Sequence, residues 1–108
     1  MLIVEKYEKL INYLYPIFQN IPRRHGVAKS LALNDFLIVP SMMIIAGKTG
    51  QVSKLYLIDA QLATVRYWMR FLVAQKCLTK HQEQTAQVLM IDVGCILGSW
   101  ISSKKKQG

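Results

Sequence analysis

The sequence predicts an all-α protein, an antiparallel four-helix bundle. Three observations lead there. Apolar residues recur at spacings of three and four in four separate stretches, as they do on helices with one buried face. No stretch alternates apolar and polar residues with the period of a strand. The links between the stretches are short, which makes consecutive helices antiparallel neighbours.

Tyr7, Leu10, Ile11, Leu14, Ile17, Phe18 and Ile21 mark the first helix. Pro16 falls within it, and a proline has no amide hydrogen to give the preceding turn, so it kinks the final turn or ends the helix early. The stretch Asn20 to Gly26, with Pro22, Arg23, Arg24 and His25, reads as a connecting loop. A second helix follows, from near Val27 to near Ala46. Pro40 kinks it or splits it into two pieces. Gly47-Lys48-Thr49-Gly50 then supplies a helix stop and a turn.

The third helix has the clearest pattern. Leu55, Ile58, Leu62, Val65, Met69 and Leu72 form a heptad-type seam. Tyr56, Ala60, Tyr67, Phe71 and Ala74 form a second, largely apolar face, and Asp59, Arg66 and Arg70 lie on a polar strip between the two. A helix with two apolar faces needs its own bundle on one side and a neighbouring subunit on the other. The fourth helix starts at Thr79, where Thr79 and Gln82 have the spacing of a capping box. Ala86, Leu89, Met90, Val93, Leu97 and Trp100 form its buried stripe. Gly94 and Gly98, four apart, are placed to let another backbone approach closely. Ser102, Ser103 and Lys104 to Lys106 read as a frayed, solvated end, a short basic tail over residues 103–108.

The 108 residues fit one domain spanning 1–108. Apolar residues make up 52% of the chain, and the mean hydropathy is +0.20. That is high for a small soluble monomer. Either the core is very dense or apolar surface is covered by a partner or by sister subunits. Cys77 and Cys95 are too few for a disulfide framework and read as buried free thiols. Glu5, Lys6, Glu8 and Lys9 interrupt the first ten residues, which is not the pattern of a secretory signal, so a cytoplasmic location is expected. The uncharged run Phe36 to Gly47 is shorter than the roughly 18 residues that a membrane span needs, and it carries Pro40. No membrane role is expected.

Signals for catalysis are weak. Cys77 and His81 lie four apart without companions, and two ligands are too few for a four-coordinate metal site. No nucleophile sits in a recognisable local setting with a base. Gly47 to Gly50 lacks the spacing of a phosphate loop and follows a helix instead of a strand. No enzyme activity, metal or cofactor is expected.

The basic residues are more informative. The net charge is +8, from 14 Lys and Arg against 6 Asp and Glu, which points toward polyanions. Arg23, Arg24 and Lys29 lie around the first link, and Lys48 and Lys54 flank the second. Arg66, Arg70 and Lys76 run along the third helix, and Lys104, Lys105 and Lys106 end the fourth. These groups would neutralise phosphates without reading sequence. Two other readings stay open. The tail lysines could serve solubility alone, and Arg66 and Arg70 could pair with carboxylates such as Asp59 or Asp92, fixing subunit register beside the seam.

Particular motifs add a resemblance. Tyr56-Leu57-Ile58-Asp59-Ala60-Gln61-Leu62, then Val65-Arg66-Tyr67-Trp68-Met69-Arg70-Phe71-Leu72, carry it on the third helix. Leu78-Thr79-Lys80 matches in the link, and Ile91-Asp92-Val93-Gly94 with Leu97-Gly98-Ser99-Trp100-Ile101 matches at the close. Leu14-Tyr15-Pro16 and Ile21-Pro22 fit in the first helix. The chain thus resembles the accessory variability determinant proteins of diversity-generating retroelements. These are related to the four-helix-bundle proteins encoded in intervening sequences of bacterial ribosomal RNA genes. The resemblance implies a bundle that assembles into a homopentameric barrel with a basic surface. It implies binding to the element's reverse transcriptase and to nucleic acid, template RNA or cDNA, during mutagenic copying. The alternative is an orphan RNA-binding bundle of the ribosomal intervening-sequence type, without a polymerase partner. A reverse transcriptase gene and paired template and variable repeats nearby would separate the two.

Overall fold

All six seam positions of the third predicted helix are buried in the computed structural model, which describes residues 1–107. The chain forms α1 (Leu2–Gln19), a 3-10 turn (Arg23–His25), α2 (Gly26–Leu37), α3 (Val39–Thr49), α4 (Val52–Ala74) and α5 (Lys80–Gln107). There is no strand among the described residues. α2 and α3 are two halves of one bent helix, so the architecture is the four-helix bundle that the periodicity predicts. α1 packs on the bent helix and on α5, and α4 packs on the bent helix and on α5. The backbones of α1 and α4 do not approach each other, so the helices close a ring around the core in chain order, up-down-up-down. The bundle extends 48 × 24 × 19 Å. The 28 residues of α5, at about 1.5 Å of rise each, span nearly its whole length.

Tyr7, Leu10, Leu14, Phe18 and Ile21 are buried from the first helix, with Ile11 and Ile17 half-buried beside them. Pro16 does not end α1, which runs on to Gln19. Pro16 and Asn12, whose carbonyl the missing amide would have served, are both on the exposed side, where water can satisfy the carbonyl. The rings of Tyr7 and Phe18 each lie 5.5 Å from that of Phe36, which locks α2 onto α1. No charged side chain is buried among the described residues, so the charge of this protein is all at its surface.

The link after α1 is shorter than the sequence suggested. One turn of 3-10 helix over Arg23–His25 leads straight into α2. Pro40 splits the second helix at Ile38, as expected. α3 continues past the expected end, and Gly50, at φ 68°, is the residue that stops it. Gly47 lies inside α3. A Cβ there would stand 2.9 Å from Met1 Cε, the end of a flexible and exposed side chain that can swing aside.

At the start of α5, Thr79 N–H donates to Gln82 Oε1 at 2.9 Å, and Gln82 N–H donates to Thr79 Oγ1 at 3.0 Å. The predicted capping box is formed. Two expectations for α5 need correction. The C-terminal stretch is not frayed: helix continues through Lys104–Lys106 to Gln107, with Trp100 and Ile101 packed on the core just before it. Cations also suit the negative end of the helix dipole. Gly108, the end of the predicted tail, lies outside the described residues. Gly94 and Gly98 admit no second backbone within the chain. Nothing lies within 4 Å of a Cβ built on Gly98, and on Gly94 it would meet only the Arg66 guanidinium, at 4.0 Å. Both glycines sit off the buried stripe. The cysteines are less covered than expected: Cys77 is half-buried and Cys95 exposed.

Candidate nucleic-acid and partner surface

Pro22 sets the chain into the single 3-10 turn, and this turn presents Arg23 and Arg24 as exposed side chains. Arg24 Nε–H donates to His25 Nε2 at 3.2 Å, so that ring nitrogen is an acceptor. Facing the turn, α4 presents Tyr67, Trp68 and Phe71. The Trp68 ring meets Tyr67 edge-on at 5.4 Å and Phe71 edge-on at 5.6 Å. Tyr67 and Phe71 lie closer to parallel, 29° apart with centroids at 6.3 Å. Trp68 is held from behind, because its Nε1–H donates to Asp35 Oδ2 at 2.8 Å. Together these residues line an open groove of about 830 Å³ whose opposite wall carries Val27 and Leu31.

A second group of cations gathers at the other end of the bundle. Lys48 lies in the last turn of α3, Lys54 near the start of α4, and Lys104, Lys105 and Lys106 in the last turns of α5. Lys104 Nζ approaches Gly50, 3.7 Å from where a Cβ would be. Lys105 Nζ stands 5.5 Å from the Tyr56 ring centroid, within reach of a cation–π contact. Lys106 borders a shallow depression lined by Cys95, Gly98 and Ser102.

The remaining predicted site residues are dispersed. Arg66 lies over the α4–α5 seam beside Gly94, and Arg70 is exposed one turn on. Neither has a carboxylate within 4.0 Å among the described residues, so the pairing with Asp59 or Asp92 is not made within one subunit. The one ion pair among the described residues is Lys80–Glu83, at 3.9 Å. Lys29 and Lys76 have backbone work. Lys29 Nζ donates to the Gln19 carbonyl at 3.4 Å, at the end of α1. Lys76 adopts φ 61° and closes α4: Cys77 N–H donates to the Leu72 carbonyl at 2.8 Å and Lys76 N–H to the Val73 carbonyl at 3.0 Å. This is the Schellman arrangement, with lysine at the left-handed position.

Sequence reasoning assigned Tyr67 and Phe71 to a packing face and did not join them to Arg23 and Arg24. The signal was present as a basic pair after a proline and as aromatics at i, i+1 and i+4. Their juxtaposition depends on how α2 docks on α4. The second apolar face of α4 is mostly uncovered within the chain, with Tyr56 44% and Tyr67 50% exposed and Leu57 beside them at 58%, while Phe71 packs partly on the core. The bent helix adds Val27 at 78%, Ile38 at 44% and Ile45 at 49%. The 12-residue run that looked too short for a membrane belongs to a longer helical stretch. Arg23–Thr49 and Lys80–Lys106 are each 27 residues long and apolar enough to cross a membrane by length and composition. Here both are walls of the bundle. In the apolar window of the first only 28% of residues are buried, so much of the apolar excess lies at the surface. No group of three His, Cys, Asp or Glu side chains comes together among the described residues.

No curated protein matches the chain significantly. A family model described as bAvd-like matches residues 1–104, which takes in all of α1 to α4, most of α5, and every predicted site residue except Lys105 and Lys106. This is the family type to which the motifs on α4 and α5 point, and the chain belongs to the bAvd-like family.

Proposed function

We propose that this chain is a non-catalytic, cytoplasmic accessory factor of a diversity-generating retroelement, one that holds the element's reverse transcriptase together with template RNA or cDNA. The observation that carries the reading is the state of its cations. On a bAvd-like bundle with a charge of +8, only Lys80 is spent on a carboxylate among the described residues. Most of the rest have no carboxylate partner among the described residues, and two groups of them, Arg23 with Arg24 and Lys48, Lys54 and Lys104 to Lys106, sit at opposite ends of the bundle. Phosphates are the matching ligand. No metal or cofactor has a part in this reading.

Away from the groove, the uncovered apolar side chains Ile38 and Ile45 on the bent helix and Tyr56 and Leu57 on α4 support assembly into a homopentameric barrel. Ile45 and Leu57 line one shallow pocket, exposed apolar surface of this kind marks a contact surface, and assembly of copies covers it without lipid.

Co-purification with the reverse transcriptase encoded beside the gene tests the reading. The wild-type chain captures the polymerase, and Arg66→Glu with Arg70→Glu reduces capture. Unchanged capture removes those two residues from the interface. Nucleic-acid binding with no polymerase capture by the wild type overturns the retroelement role in favour of an orphan RNA-binding bundle.

A further inference from the structure

We propose that the groove between the 3-10 turn and α4 binds single-stranded nucleic acid, its bases stacking on Tyr67 and Phe71 while Arg23 and Arg24 hold the phosphates. This rests on the nucleic-acid half of the proposed function and places it at a defined site.

The walls carry the argument. Tyr67 is 50% exposed and Phe71 is partly exposed. They lie one turn apart on α4 with rings 29° from parallel and centroids 6.3 Å apart, and both line the groove. Every base has a π-face, and stacking on aromatic side chains is tolerant of sequence. The platform is held in place before any ligand arrives. The indole N–H of Trp68 is bound to Asp35, and its ring abuts both Tyr67 and Phe71 edge-on. The aromatic wall therefore does not need ordering on binding.

Charge selects the occupant. Arg23 and Arg24 stand at the rim, exposed and without a carboxylate partner among the described residues, and no acidic residue is among those that line the groove. A second copy of this chain would bring further positive charge to that rim, with only six acidic residues in its whole sequence to offset it. A polyanion offsets it directly. The strand must be single, because duplex bases are stacked on one another and present no free faces. The groove is open along its length, which suits a strand laid through it better than an engulfed small molecule.

Trp100→Phe leaves Trp68 as the sole tryptophan and turns it into a reporter. On titration with oligodeoxythymidylate and with oligouridylate, its fluorescence should be quenched. An abasic strand of equal length and charge should bind at least roughly 5-fold more weakly, as expected from the loss of one stacked base. Tyr67→Ala should weaken binding of the intact strand by about 5- to 100-fold on the same basis and leave the abasic strand unaffected. Arg23→Gln with Arg24→Gln should flatten the salt dependence by about two phosphates' worth. Tighter binding of the RNA strand would show a contact to the 2′-hydroxyl, and equal binding would show recognition by base and phosphate alone; both fit the site. Equal affinity for intact and abasic strands, or for duplex, overturns the stacking site while leaving an electrostatic nucleic-acid binder in place. A Tyr67→Ala protein that loses its assembly and keeps its affinity shows the groove to be a subunit contact and overturns the proposal. Absence of any binding at low salt overturns the nucleic-acid half of the function as well.

Discussion

The Tyr7 hydroxyl donates a 2.6 Å hydrogen bond to the main-chain carbonyl of Phe36, the acceptor that Pro40 cannot serve. In an unbroken helix that carbonyl takes the amide of residue 40, and proline has none. α1 supplies the missing donor instead. The next carbonyl back, that of Asp35, accepts from Gln61 Nε2 of α4 at 2.8 Å. Ile38 N–H to the Asn34 carbonyl and Met42 N–H to the Ile38 carbonyl, both 3.2 Å, carry the backbone across the bend. The break in the second helix is therefore tied by side chains to both flanking helices, and the tie through α4 lies two turns before Trp68.

Removing the Tyr7 donor leaves a buried carbonyl unpaired, which costs about 1–3 kcal/mol. Tyr7→Phe should lower stability to urea by that amount while helix content is kept. Pro40→Ala restores an amide in reach of Phe36, so it should recover part of the loss in the Tyr7→Phe background. Strictly additive effects in the double-mutant cycle would show that the two residues do not share this acceptor.

Burial pushes the Tyr7 phenol far above the range of an ordinary tyrosine. In the unfolded chain it ionises near pH 10, while the folded protein keeps the proton. Above that pH the native state binds more protons than the unfolded one, so stability falls as pH rises. The contribution is fully present below about pH 10 and is lost beyond it. Urea melts across this interval should show a steeper alkaline decline for the wild type than for Tyr7→Phe; parallel curves would refute it.

Lys76 holds a left-handed backbone conformation at φ 61°, where a Cβ is disfavoured. Lys76→Gly relieves that strain and gives back part of it as unfolded-chain entropy, for a net gain of about 0.5–1 kcal/mol. Chemical denaturation reads the gain. If Lys76 also contacts a phosphate, the same variant reduces the salt slope of nucleic-acid binding by about one. A destabilised variant would mean that the lysine side chain supports the link itself.

Light scattering on the wild-type chain should give the mass of five copies. Leu57→Glu and Ile45→Glu place charge on the uncovered apolar surface and should reduce that mass without loss of helicity. A monomeric wild type would remove both the barrel and the reason for two apolar faces on α4.

The third and fourth helices were legible by themselves. The seam from Leu55 to Leu72 and the cap at Thr79 with Gln82 are local patterns, and burial of one stripe and pairing of a helix's first amides are requirements that a helix meets wherever it packs. The proline bend was legible too, as a position. The fate of the orphaned carbonyl was not, because its partner Tyr7 lies 29 residues away and comes into reach only through packing. The same holds at the surface. Sequence alone establishes a basic, helical chain with more apolar surface than one core uses. Tertiary structure alone decides that Arg23 and Arg24 stand opposite Tyr67 and Phe71, that Lys104 approaches Gly50, and that Arg66 and Arg70 find no carboxylate among the described residues. Charge and periodicity are properties of residues in order, whereas a site is a property of side chains that meet, and here they meet because α2 is folded back against α4.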